Sequence, residues 1–336
     1  MTTTQPRPAT YTPPAKQSEE PDYSQILDDL SSASVARNFD PYIDIDWDAP
    51  HMAVVPNDPR WILSYTVDPI GRHPWYQALP EEEQIKIGMW RQANVAKVGL
   101  QFESILIRGL MQYADRLPNG DKRFRYTTHE AKEECNHTLM FQELVNRIGM
   151  ETKGMRPWLQ RLSPTIPLFS TFWPTVFFFG VLAGEEPIDH LQKDFLRSVE
   201  TMHPAMSAVM ELHVAEEARH ISFAHNHLRT TIPSKGPITK FTLSIVMPIV
   251  MRVLCGAIMV PPKEFQREFD VPKSVIKEIF WKSPQSKAVL SGVFGDVRML
   301  AHQCGLMNPV SRLVWRLLGI DGRASRYRSE PAYTAN

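Results

Sequence analysis

Two short stretches of the sequence pair a glutamate with a histidine three residues later. They are Glu134 with His137 and Glu217 with His220. Residues three apart on an α-helix lie about 60° apart around its axis, so each pair can direct a carboxylate and an imidazole at one point. A single Glu-x-x-His is common by chance on a solvated helix, but two copies are what two helices facing one metal site present.

Two further glutamates lie in apolar surroundings. Glu103 is the sole acidic residue between Glu83 and Asp115, and Glu186 follows an uncharged stretch, 162–184. An ionised carboxylate in such surroundings is costly unless it is paired or binds a metal. The interval from each of these glutamates to the next Glu-x-x-His glutamate is 31 residues. This equal spacing favours Glu186 as a ligand, and its neighbour Glu185 is the alternative.

His213 lies four residues before Glu217 and seven before His220, so the three share an arc of about 60° on one helix. Such a histidine can be a buried core residue, but its position beside the other candidates favours a metal ligand. Glu133 and Glu216 lie about 100° from the motif glutamates and are expected to face solvent or to support the ligands. The candidate metal ligands are Glu103, Glu134, His137, Glu186, His213, Glu217 and His220.

These residues need long helices to bring them together. Helical periodicity dominates the sequence and strand signals are sparse. The sequence predicts an all-α fold, a ferritin-like four-helix bundle core with additional C-terminal helices, in which each helix pair provides one lone glutamate and one Glu-x-x-His. Long helices are predicted at roughly 81–116, 124–149, 168–199 and 203–229, and shorter ones around 238–260, 272–281, 286–303 and 309–318.

The chain of 336 residues is organised around this bundle. Residues 1–45 are predicted to be a disordered tail, with five prolines in the first 21 residues. Residues 46–336 are predicted to form one domain whose metal-binding bundle spans about 81–230. The uncharged stretch, 162–184, is long enough to cross a bilayer, but its prolines favour a buried core helix.

Composition excludes several classes of partner. The 37 basic and 37 acidic residues balance, which argues against a nucleic-acid partner and gives no support for a membrane partner. Three scattered cysteines, Cys135, Cys255 and Cys304, do not form a disulfide framework, so a cytoplasmic location is expected.

With its seven candidate ligands assembled, the chain resembles the p-aminobenzoate N-oxygenase (AurF-like) family of diiron oxygenases. A third histidine on the last ligand helix, here His213, marks that family out among ferritin-like proteins. The resemblance covers about residues 60–230. It implies two iron ions (Fe2+/Fe3+) bridged by Glu134 and Glu217, with O2 as co-substrate.

The resemblance also implies an activity and its partners. The enzyme would be a non-haem diiron monooxygenase that oxidises the amine nitrogen of an arylamine or related amine to hydroxylamine and nitro products, through a peroxo-diiron species. An external electron donor and a homodimer are further expectations of the resemblance. Six phenylalanines could line a substrate pocket or simply fill the core: Phe102, Phe141, Phe177, Phe178, Phe179 and Phe223.

Two other functions use the same ligands. One is a diiron hydroxylase or desaturase acting on carbon of an acyl or aromatic substrate. The other is a non-enzymatic ferritin-like iron-binding protein, against which about 100 residues beyond the bundle favour a covered active site. A radical-generating reductase subunit is disfavoured because no tyrosine lies at a suitable spacing from a ligand.

Overall fold

The computed structural model describes residues 22–198 and 202–330, and no β-strand is present in these ranges. The fold is all-α, as predicted. Four long helices form its centre: α3 (Glu81–Ala114), α4 (Lys122–Ile148), α7 (Pro174–Arg197) and α8 (Pro204–Thr231). The other helices are α1 (Tyr23–Ala36), α2 (Pro74–Gln77), α5 (Pro157–Leu162), α6 (Leu168–Phe172), α9 (Pro237–Met259), α10 (Lys263–Glu268), α11 (Lys273–Lys277), α12 (Pro284–Gly292), α13 (Gly295–Gln303) and α14 (Pro309–Leu317).

The bundle consists of two helix pairs. Helix α3 packs against α4, α7 packs against α8, and α4 and α8 meet between the pairs. A short connection joins the helices within each pair, whereas the longer crossover between the pairs, 149–173, carries α5 and α6. This is the topology of a ferritin-like bundle, in which facing helices direct side chains into a shared interior.

Local sequence signals set the ends of the ligand-bearing helices. Helix α4 begins after Asp121, whose side chain accepts a hydrogen bond from the Arg123 backbone N–H. It ends at Gly149, which has a left-handed backbone conformation (φ 70°) that favours glycine. Helix α8 begins with Pro204, which needs no hydrogen-bonded N–H at that position.

Apolar side chains form a layer on each side of the bundle's polar centre. Phe178, Phe179 and Phe223 belong to one buried cluster, together with residues of α9 and α13. Met140 and Met206 belong to another, on the opposite side of the Glu-x-x-His motifs. The polar centre therefore lies between two apolar layers.

The N-terminal region differs from its prediction. Tyr23–Ala36 is helical rather than part of a tail extending to residue 45, because it packs against α4 and α8 and buries Leu27. An ion pair between Lys122 and Asp28 also connects α1 to the start of α4. Residues 1–21 of the predicted tail lie outside the described residues.

Two predicted helices are divided. The helix predicted at 168–199 is interrupted at Trp173 (φ −139°), because Pro174 disfavours a helical conformation in the preceding residue. The helix predicted at 286–303 is interrupted at Phe294.

The apolar segments belong to the helical packing. The uncharged stretch 162–184 is divided among α5, α6 and α7, and the α7 part is largely buried. Among the described residues, Pro237–Glu268 is long and apolar enough to cross a membrane, but half of its apolar window is buried inside the protein. Helix α9, within this stretch, packs against α7 and α14.

Candidate metal centre

The two Glu-x-x-His motifs meet at the centre of the bundle. Glu134 Oε1 lies 2.8 Å from His220 Nδ1, and Glu134 Oε2 lies 2.9 Å from His137 Nδ1. Glu217 Oε1 lies 3.3 Å from His220 Nδ1 and 3.6 Å from His137 Nδ1. The four side chains are fully buried, and one donor atom from each lies within 4.8 Å of the others. The two motifs thus form one site.

Glu103 and His213 join this site from α3 and from the preceding turns of α8. His213 Nε2 lies 3.5 Å from Glu217 Oε1 and 3.7 Å from Glu103 Oε1. Donor atoms of Glu103, His137 and His213 also lie within 4.8 Å of one another. The structure therefore brings six of the seven sequence-predicted residues together.

The seventh residue differs from the prediction, because the structure places Glu185 in the site and not Glu186. The Glu185 carboxylate lies within 4.8 Å of the Glu103 and Glu134 donors. Glu186 instead accepts a hydrogen bond from His225 Nε2. Glu185 lies on the buried stripe of α7 that points into the bundle, and Glu186 is turned about 100° away from it.

The equal spacing misled because the two helix pairs are not equivalent. Seven residues, 115–121, lie between the bounds of α3 and α4, and six, 198–203, lie between those of α7 and α8. The helices of the second pair compensate by running further past the ligands. Equal intervals along the chain therefore do not place Glu103 and Glu186 at equivalent positions in the bundle.

The glutamates that precede the motifs support the histidines in a crossed arrangement. His220 Nε2 donates to Glu133 Oε2 (2.7 Å), and His137 Nε2 donates to Glu216 Oε2 (3.0 Å). His220 of α8 is thus held by Glu133 of α4, and His137 of α4 is held by Glu216 of α8. The Nδ1 atom of each histidine faces the site. Such partners orient a metal-binding imidazole.

Arg219 connects the two supporting glutamates. Its Nη2 lies 3.0 Å from Glu133 Oε1 and 3.2 Å from Glu216 Oε1. The motifs in the sequence do not predict this role. The only sequence signal is that the basic residue lies directly beside His220 inside the second motif.

Gln192 supports the third histidine in the same way. His213 Nδ1 donates to Gln192 Oε1 (2.8 Å), which leaves Nε2 facing Glu103 and Glu217. Gln192 is likewise not among the residues that the motifs predict. Its signal is positional, because Gln192 lies seven residues after Glu185 on the same stripe of α7.

The buried carboxylates of the site have pKa values shifted in opposite directions. Burial raises the pKa of Glu103 and Glu185 well above the usual value, and the nearby Glu134 and Glu217 carboxylates raise it further. Burial also acts on Glu134, but its neighbouring imidazoles hold the pKa of that group well below the usual range. Burial alone would lower the pKa of His137, yet contact with Glu134 raises it to about 10. Buried carboxylates this close together are stabilised by positive charge between them.

Several donor atoms of the site are without a hydrogen-bond partner among the described residues. They are Glu103 Oε2, Glu185 Oε1, Glu217 Oε2 and His213 Nε2. A buried polar atom left unpaired costs free energy, so these four atoms in one cluster are suited to holding a cation. Carboxylate oxygens with imidazole nitrogens suit iron or manganese. The residues present therefore fit a metal centre of the ferritin-like type.

The sequence profile of a known family, described as P-aminobenzoate N-oxygenase AurF, matches residues 20–305. The chain belongs to the AurF family. Members of this family are diiron N-oxygenases, which agrees with the buried carboxylate–imidazole cluster. Two similar proteins, from Mycobacterium tuberculosis and Mycobacterium bovis, are each 59% identical over 313 residues, which cover 93% of this chain and 92% of each relative. Both are described as uncharacterized proteins.

A cavity in this AurF-family chain reaches the candidate centre. Glu103, Glu185 and His213 line one side of it. Phe102 and Phe141 line it as well, so these two of the six phenylalanines proposed for a pocket face the cavity. Phe177 lines a second chamber, while Phe178, Phe179 and Phe223 are fully buried in the core.

The second chamber adjoins the first and has walls of apolar residues. Its volume is about 260 Å³, and it lies between α3, α5, α7 and α9. Phe102 and Ile258 line both cavities and therefore separate them. The Phe102 ring rests against Gly184, where an added Cβ would lie 1.9 Å from the ring.

Proposed function

We propose that this protein is a diiron N-oxygenase that uses O2 to oxidise the amine nitrogen of an arylamine or a related amine. The observation that carries the proposal is the third histidine, His213, which joins two Glu-x-x-His motifs and two further glutamates in one buried cluster. The ligands would be Glu103, Glu134, His137, Glu185, His213, Glu217 and His220.

Glu134 and Glu217 would help to hold both irons. One oxygen of Glu134 lies beside His137 and the other beside His220, and Glu217 lies near the same two imidazoles. When bound, the two irons would bind O2 and supply the oxidation, with electrons from an external donor.

Positive charge from bound metal ions would offset the four ligand carboxylates, because uncompensated negative charge between two apolar layers would be costly. The protein would hold the ligands, exclude water and position the amine beside the open face of the site.

The cavity beside the ligands has a polar end as well as apolar walls. Arg91 lines it, is fully buried, and lies 3.8 Å from Asp68. Among the described residues its Nη1 has no hydrogen-bond partner. Arg91 would bind an acidic group of the substrate, since a guanidinium pairs well with a carboxylate.

Single-turnover reaction of the iron-loaded protein tests the function. The reduced protein with two irons per chain, exposed to O2 and an arylamine, should yield hydroxylamine or nitro product detected by mass spectrometry. His213→Ala should lose this reaction, whereas His302→Ala on the exposed face of α13 should retain it. A protein that binds two irons and consumes O2 without oxidising any tested amine would refute the N-oxygenase assignment.

The apolar second chamber favours one alternative, a hydroxylase or desaturase acting on carbon of an acyl substrate. A chamber of about 260 Å³ with apolar walls could hold part of an acyl chain behind Phe102. The same single-turnover reaction with an acyl substrate separates the two functions. Hydroxylated or unsaturated acyl product in place of N-oxidised amine would select the alternative.

A further inference from the structure

A second group of metal-binding side chains lies on another face of α7 and has no part in the proposed reaction. It consists of Glu186, His190 and Asp296, whose donor atoms lie within 4.8 Å of one another. Glu186 and Asp296 are each 1% exposed, and His190 is mostly buried. Two buried carboxylates in one place need a compensating cation.

Distances within this group are too long for hydrogen bonds. His190 Nε2 lies 3.8 Å from Glu186 Oε2 and 3.9 Å from Asp296 Oδ2. A direct hydrogen bond between nitrogen and oxygen is about 2.7–3.2 Å long. Metal–ligand bonds of about 2.0–2.2 Å instead place two ligands of one ion roughly 3–4 Å apart. The observed spacing therefore suits a shared ion better than an ion pair.

Outer contacts hold the two carboxylates in place. The Ser329 backbone N–H donates to Asp296 Oδ2 (2.5 Å), and His225 Nε2 donates to Glu186 Oε1. Among the residues that the structure covers, Asp296 Oδ1 and His190 Nε2 are without a hydrogen-bond partner. Both atoms are buried, and they belong to side chains whose donor atoms lie within 4.8 Å of one another.

We infer that Glu186, His190 and Asp296 form a mononuclear site for a divalent first-row cation such as Zn2+, separate from the two-iron centre. One imidazole and two carboxylates are suitable ligands for such an ion, and water would complete its coordination. The ion would join α7 to α13 and, through Ser329, to the C-terminal segment. An open pocket of about 460 Å³ is lined by His225, which donates to Glu186.

Metal analysis of the iron-loaded protein tests the site. Protein with two irons per chain is incubated with Zn2+, desalted, and analysed for iron and zinc together. We expect one zinc per chain with the iron content unchanged. His190→Gln should reduce bound zinc at least tenfold, while His302→Gln, a matched change at an exposed histidine, should leave it at one.

Asp296→Asn should also lose the zinc. If Asp296→Asn misfolds, His190→Gln decides the outcome, because His190 Nε2 makes no hydrogen bond within the described structure. Zinc should raise the melting temperature of the unchanged protein and not that of His190→Gln. No zinc beyond what replaces iron, or equal uptake by His190→Gln, would overturn the inference. Since the measurement is of metal content, it is independent of whether any amine is oxidised.

Discussion

Glu133 and His220 are 87 residues apart in the sequence and are joined by a hydrogen bond of 2.7 Å between Oε2 and Nε2. The matching bond between Glu216 and His137 crosses in the opposite direction between α4 and α8. Each helix therefore orients a candidate ligand of the other. The relative position of the two helices and the orientation of the imidazoles depend on the same contacts.

Removal of one supporting glutamate should weaken metal binding without removing a ligand. In Glu133→Ala, His220 loses its acceptor, and we expect iron affinity to fall by about 10–100-fold. Competition with a chelator measures the change. Glu211→Ala, an exposed position on α8, is the control and should bind iron like the unchanged protein. Equal affinity in both variants would contradict the supporting role of Glu133.

The neighbouring glutamates of α7 should behave differently when each loses its charge. Glu185→Gln should prevent full loading with two irons, because this carboxylate lies among the other donors. Glu186→Gln should still bind two irons, because Glu186 pairs with His225 outside that site. Iron content per chain measures both. The opposite result would place Glu186 in the two-iron site, as the equal spacing along the sequence predicted.

Gly180 and Gly184 of α7 differ in the space beside them, so substitution by alanine should change the free energy of unfolding in opposite directions. In Gly184→Ala the new methyl group would overlap the Phe102 ring, and we expect the free energy of unfolding to fall by about 1–3 kcal/mol. At Gly180 the nearest atom to an added Cβ is 3.8 Å away, so Gly180→Ala should raise it by about 0.5–1 kcal/mol. Urea denaturation measures both. A loss of stability in Gly180→Ala would show that space is not what separates these positions.

Acid should destabilise the fold partly through His227. Burial between Phe178 and Tyr113 lowers the pKa of His227 to about 3, so the folded protein excludes a proton that the unfolded chain binds below its pKa of about 6.5. Its contribution to stability is therefore present above pH 6.5 and is lost as the pH falls towards 3. Between pH 7 and pH 5 the loss should be about 2 kcal/mol.

Two variants, His227→Phe and His51→Phe, separate the contribution of His227 from other sources of acid sensitivity. His227→Phe should lose about 2 kcal/mol less than the unchanged protein over the same pH interval, as measured by urea denaturation. His51→Phe, at an exposed position, should keep the original pH dependence. If His227→Phe and the unchanged protein lose equal stability, the buried imidazole is not a source of acid sensitivity.

Patterns that repeat along one helix were sufficient to predict the bundle and most of the cluster. Glu134 and His137 follow from helical spacing alone, and Glu103 from its apolar surroundings. Glu185 could not be distinguished from Glu186, because the choice depends on how α7 is rotated against the other three helices. That rotation is set by packing between the helices and not by the local sequence.

Contacts between elements that are distant in the chain could not be predicted from the sequence. Gln192 and Arg219 take their roles from partners on other helices, and a lone polar residue on a helix gives no sign of its partner. For the same reason, the sequence does not predict the helix Tyr23–Ala36. Its few apolar residues bury surface only because α4 and α8 present a groove for them.

The apolar layers on either side of the polar centre leave the cavity lined by Glu103, Glu185 and His213 as an approach to the ligands in the folded protein. Metal ions and the amine would therefore reach the site through the same space. An amine bound in this cavity should slow the uptake of iron, so the order in which iron and amine are added should affect how quickly activity develops.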